Sequence, residues 1–105
     1  MPFQLTLQAT EDLDGIWWFI AEGSREAADR VEKEIIATCH RLAGHPLIGH
    51  HRLDITPLQV RFWTLPKYPN YVIVYRPETK PLLVVAILQG KQDLEEILKD
   101  RLAQP

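Results

Sequence analysis

A single cysteine in 105 residues rules out an intramolecular disulfide, so the chain must be held by its core, and it fits a reducing compartment. Ile35, Ile36 and Leu42 surround Cys39 in sequence and mark it as a buried, inert thiol. Long apolar runs are missing too. The longest aliphatic stretch, Leu82 to Leu88, has seven residues, against the ~20 a membrane-spanning helix needs. No basic residue precedes Arg25, which leaves no charged start for a signal peptide. A soluble, cytoplasmic protein that does not engage a membrane is expected. Positive charge is not in excess either: 12 Lys and Arg face 14 Asp and Glu, for a net charge of -2. That balance argues against an affinity built on many phosphate contacts, and no specific DNA binding by the chain alone is expected. Metal signatures are absent. His40, His45, His50 and His51 have no Cys-x-x-Cys or His-Glu-x-x-His beside them, and Pro46 and Gly49 break the helix that would align the first two. Neither a metal nor a cofactor is expected.

What is present suffices for one domain over residues 1–105, since 46% hydrophobic residues can bury a modest core. The charge is unevenly spread. Residues 9–43 carry -4, residues 44–91 carry +4, and residues 92–105 carry -2. Any basic working surface therefore belongs to the middle of the chain.

Phe3, Leu5 and Leu7 alternate with polar residues, the period of a half-buried strand. Thr10 offers an N-cap, with Glu11 and Asp12 placed where a helix dipole favours negative charge. The helix that follows runs to about Glu22 with Leu13, Ile16, Trp17 and Ile20 inward, and Gly23 closes it. Ser24 caps a second helix to about Ala43, with Ala28, Val31, Ile35, Cys39 and Leu42 inward. The pair predicts a helical hairpin. Residues 44–58 read as an irregular connector. Strands at about 59–65, 70–76 and 82–89 are bracketed by prolines and form an antiparallel meander. Asp93 caps a last helix with Leu94, Ile97, Leu98 and Leu102 on its apolar side. The fold class is α+β: an N-terminal strand, a helical hairpin on an antiparallel β-meander, and a short C-terminal helix.

Two groups of residues invite function. Adjacent helical residues point about 100° apart, so Trp17 and Trp18 cannot both face one core stripe. Trp17 fits the stripe, while Trp18 falls at its edge, where it either packs on a loop or anchors a partner chain. Arg61, Lys67, Tyr75, Arg76 and Lys91 could together serve metal-free phosphate chemistry, in which cations hold a pentavalent phosphate and a tyrosine moves a proton. They also suit an ordinary half-exposed sheet, and no histidine or carboxylate stands ready as a base.

Ala9-Thr-Glu-Asp-Leu-Asp-Gly-Ile-Trp17, Ser24-Arg-Glu-Ala-Ala28, Pro46-Leu-Ile-Gly49, Val60-Arg-Phe-Trp-Thr-Leu-Pro66 and Tyr68-Pro-Asn-Tyr-Val-Ile-Val-Tyr-Arg76 occur in an order that resembles the ParE branch of the ParE/RelE toxin superfamily. The resemblance implies the toxin of a type II toxin-antitoxin pair, neutralised by a cognate antitoxin whose partly disordered tail folds on it. It implies DNA gyrase as the target, engaged by binding. The alternatives are a ribosome-dependent messenger RNA endoribonuclease of the RelE type and a non-toxic interaction module of the same fold. Where the family often has His-Gly-x-Arg-Asp, this chain reads Gln89-Gly-Lys-Gln-Asp93, which removes an imidazole and a guanidinium from any nuclease. If a nuclease, its residues would be Arg61, Tyr75, Arg76 and Lys91. As a binding toxin it would meet its target through Arg61, Trp63, Lys67, Arg76 and Lys91, and its antitoxin through Leu13, Trp17, Trp18 and Lys67.

Overall fold

A computed structural model describes residues 2–103. Strand β1 (Phe3–Leu5) leads into helix α1 (Leu7–Ala21), which turns back into α2 (Arg25–Gly44). After an irregular connector come β2 (Arg61–Thr64), β3 (Tyr71–Arg76), β4 (Leu82–Gln89) and helix α3 (Leu94–Leu102). The strands make one sheet in the order β1-β4-β3-β2. The expected antiparallel meander is β2-β3-β4, and β1 widens it by pairing parallel to β4, Phe3 opposite Leu82 and Leu5 opposite Val84.

The start of α1 differs from the sequence expectation. Thr6, not Thr10, is the cap: its hydroxyl accepts the Ala9 amide at 3.1 Å. Both threonines have the right chemistry, and tertiary pairing chooses between them. The Thr6 amide donates to the Val84 carbonyl at 3.0 Å, which holds Thr6 extended at the end of β1 and lets the helix begin at once. Leu7 is consequently a helical residue, 75% exposed, instead of the third inward residue of a strand. Glu11 and Asp12 lie beyond the first turn, which holds no acidic residue. The second helix follows its local signals, with the Ser24 hydroxyl accepting the Ala27 amide at 3.1 Å.

Both faces of the sheet are covered, so β3 and β4 are almost wholly buried and read as continuous apolar runs. On one face Leu65, Ile73, Tyr75, Val84 and Ile87 pack under the hairpin residues Ala9, Leu13, Ile16, Val31, Ile35, Cys39 and Leu42. On the other, Phe62, Val72, Val74, Ala86 and Leu88 meet Val60 and Leu98 of α3. Asp93 caps α3 by accepting the Glu96 amide at 3.1 Å. Cys39 is fully buried, and burial pushes its thiol up to about 12. Among the described residues no helix is long and apolar enough to cross a membrane.

Candidate interaction site

The sheet's basic residues do not gather into one surface. Arg61 and Tyr75 are paired across β2 and β3, on the face beneath the hairpin. There they hold the connector, Tyr75 buried and Arg61 half-buried. Arg61 Nη1 donates to the Leu47 carbonyl at 3.1 Å and to the Gly49 carbonyl at 2.7 Å. The Tyr75 hydroxyl donates to the Pro46 carbonyl at 2.7 Å and accepts the Gly49 amide at 3.0 Å. Tyr75 has no exposed surface. Burial raises its phenol above the ordinary value, outweighing the Gly49 amide and the Arg61 charge that pull it down. Where the sequence suggested that Tyr75 moves a proton at a surface phosphate, the structure places its hydroxyl between the Pro46 carbonyl and the Gly49 amide inside the protein.

The remaining cations lie apart. Arg76 ends β3 opposite Leu83, whereas Lys91 follows the end of β4 at which Gln89 pairs with Tyr71. Those two ends of β3 are separated by five residue steps, about 17 Å. The structure therefore brings Arg61 and Tyr75 together and leaves Arg76 and Lys91 near opposite ends of β3. At Gln89-Gly-Lys-Gln92 the Gln92 carboxamide oxygen accepts the Gln89 amide at 2.7 Å, so its polar group closes its own turn. Trp63 is half-buried against the hairpin core, with His50 stacked on it at 6.2 Å. Lys67 is exposed and lies 3.6 Å from Glu34 of α2.

Around α1 the picture is sharper. Leu13, expected among the antitoxin contacts, is only 7% exposed and belongs to the core. Trp17 is half-buried: its indole N-H donates to Asp29 Oδ1 at 2.9 Å, and the Arg25 guanidinium lies over its ring. Trp18 stands edge-on to Trp17 with ring centroids 5.1 Å apart and is 63% exposed. Phe19, which sequence reasoning missed, is 67% exposed beside it. The signal was available. Once Ala9, Leu13, Ile16 and Ile20 define the inward stripe, residues 18 and 19 both point away from it.

Trp18 and Phe19 thus stand as two adjacent exposed aromatics on α1, on the outer side of a helix that packs over the sheet. Residues 3–94 match the family model of the ParE toxin of type II toxin-antitoxin systems, parDE. The chain belongs to the ParE toxin family. No curated protein matches it at a significant level. Among solved structures, one described as the chromosomal ParDE TA system from P. aeruginosa matches with a TM-score of 0.69 and 23% identity, over 85% of this chain and 95% of that chain. At that identity the likeness shows a shared fold.

The ParE family match ends at Leu94, the first residue of α3. The rest of that helix packs Leu98 into the core and is also tied to it by an ion pair: the Arg101 guanidinium donates to both carboxylate oxygens of Asp12, and Asp12 Oδ2 also accepts the Ile87 amide at 2.9 Å. This is what Asp12 does in place of supporting the helix start.

Proposed function

We propose that this ParE-family chain is a cytoplasmic toxin that acts by binding, that its target is DNA gyrase, and that a cognate antitoxin neutralises it by covering α1 at Trp18 and Phe19. The observation that carries the binding mode is the engagement of Tyr75 and Arg61 with the backbone of residues 46–49. The Tyr75 hydroxyl and Arg61 Nη1, the groups that would serve phosphate chemistry, are turned to holding a loop. Gln89 and Gln92, where relatives often carry titratable or cationic groups, support the same reading. The antitoxin contact is supported by 63% and 67% exposure of two large aromatics on one helix, since such residues dominate protein interfaces.

Purified protein is expected to inhibit gyrase supercoiling in a concentration-dependent way, and an unaffected reaction at excess protein would sink the target assignment. Primer extension on translated message checks the mode. Site-specific cleavage lost in Arg76→Ala would replace binding by ribonuclease action. Co-expression with the product of the adjacent reading frame is expected to restore growth and yield a stable complex.

A further inference from the structure

Gly15 occupies the middle of α1, where a glycine costs more helix stability than any residue but proline. Nothing inside the molecule calls for it. A Cβ built there meets nothing within 4 Å beyond the helix's own backbone, and no glycine of the described residues has a positive φ. Its neighbours three and four residues away on the helix surface are Glu11, Asp12, Trp18 and Phe19. A strip of bare backbone thus lies between acidic side chains on one side and two exposed aromatics on the other. It forms part of a hollow of about 310 Å³ between α1 and the end of β4, lined also by Gln89 and Gln92. The missing side chain leaves room for something outside the chain.

Charge decides what that is. Glu11 and Asp14 are exposed and pair with no cation among the described residues. A second copy packed through the same face of α1 would bring no cation to these carboxylates, since residues 7–22 hold no lysine or arginine, and a nucleic acid would bring phosphates to them. A basic, amphipathic protein helix meets neither obstacle. Leu7, eleven residues before Trp18, falls within 20° of it around the helix and about 16 Å away, which supplies a second apolar anchor on the same line.

We infer that Gly15 is the crossing point for a helix of the cognate antitoxin. That helix carries a small residue where it crosses α1, apolar side chains against Trp18 and Phe19, and lysine or arginine towards Glu11 and Asp14. The inference rests on the antitoxin reading above and adds where the backbones approach and which charge the antitoxin brings.

The product of the adjacent reading frame is the probe, its binding to the purified toxin followed by surface plasmon resonance. Gly15→Ala raises the Tm of the free toxin by about 3–6 °C, because alanine replaces glycine inside a helix with no internal clash. The same change weakens the complex by about fivefold, and Gly15→Gln weakens it by roughly fiftyfold, through intrusion into the crossing. Glu11→Lys combined with Asp14→Lys slows association at low salt and much less at high salt. Wild-type affinity in both Gly15 variants overturns the crossing while leaving the antitoxin reading intact. A lowered Tm in Gly15→Ala overturns it by showing an internal need for glycine. Failure of the wild-type toxin to bind the probe overturns both.

Discussion

The hydroxyl of Tyr75 and the amide of Gly49 meet at 3.0 Å across 26 residues of sequence, and the same hydroxyl donates to Pro46 at 2.7 Å. This pair turns an irregular, histidine-rich connector into a fixed part of the sheet's edge. It also continues into backbone pairing, for the His50 amide donates to the Phe62 carbonyl at 2.9 Å and the Phe62 amide to the His50 carbonyl at 2.8 Å.

Tyr75→Phe leaves a part-buried carbonyl and a buried amide without their partner, the latter costing about 1–3 kcal/mol when unsatisfied. Relaxation of the loop recovers part of that, so a loss of about 1–3 kcal/mol is expected in urea unfolding, with faster exchange of the Gly49 amide. Unchanged exchange at Gly49 would show that the hydroxyl is not the clamp.

Gly49→Ala is expected to be worse than an ordinary glycine substitution. Its Cβ would stand 2.5 Å from the Tyr75 hydroxyl oxygen and 2.9 Å from Cε1 of the same ring. Tyr75 is fully buried and cannot swing aside. Overpacking of this kind costs about 1–3 kcal/mol, and the double variant Gly49→Ala with Tyr75→Phe should lose less than the sum of the two. Strict additivity would refute the clash.

Arg101→Leu tests the tie between α3 and the core. Asp12 and Arg101 retain 14% and 16% of their side-chain exposure. Breaking a fully buried pair costs about 3–5 kcal/mol, and this residual solvent contact lowers the expected loss to about 2–3 kcal/mol. Hydrogen exchange should accelerate in α3 before it does in α2. Uniform acceleration across the chain would mean that α3 does not respond as a separate unit.

Cys39 should resist alkylation in the folded protein at pH 8 and react only on unfolding. Burial pushes its thiol up to about 12 in the folded protein, from an ordinary value near 9. Between these values the unfolded chain has released the proton and the folded chain has kept it, so the unfolded state binds fewer protons and stability falls as pH rises from about 9 to 12. Cys39→Ala should remove that part of the alkaline decline. Rapid labelling of native protein would contradict the burial.

Trp18→Ala should weaken antitoxin binding by more than about tenfold, mainly through faster dissociation, because truncating an aromatic anchor commonly costs about 2 kcal/mol or more. Lys67→Ala should act on association at low salt, and modestly, since Glu34 already lies 3.6 Å from its ammonium. An unchanged dissociation rate for Trp18→Ala would remove the anchor from α1.

The spans of α2, β3, β4 and α3 were legible because their signals are local. Ser24 and Asp93 cap their helices through amides three residues on, and the apolar residues of α2 recur at the helical period. Burial of Cys39 followed from the same stripe. Trp18 was recognisable as a poor fit to its helix's inward face for a similarly local reason, the fixed 100° step between residues.

What only tertiary structure decided was how distant groups share hydrogen bonds. Thr6 and Thr10 are equivalent as caps until β1 pairs with β4 and brings Val84 to the Thr6 amide. Arg61 and Tyr75 have the composition of a phosphate site, but residues 46–49 fold back over them and engage Nη1 of Arg61 and the hydroxyl of Tyr75. Asp12 reads as a charge for a helix start until α3 delivers Arg101 to it. The sequence thus determined which segments form helices and strands, because caps and periodicity act within a few residues. Whether a polar side chain serves the surface or the scaffold depended on which buried backbone groups, far away in the chain, still needed a partner.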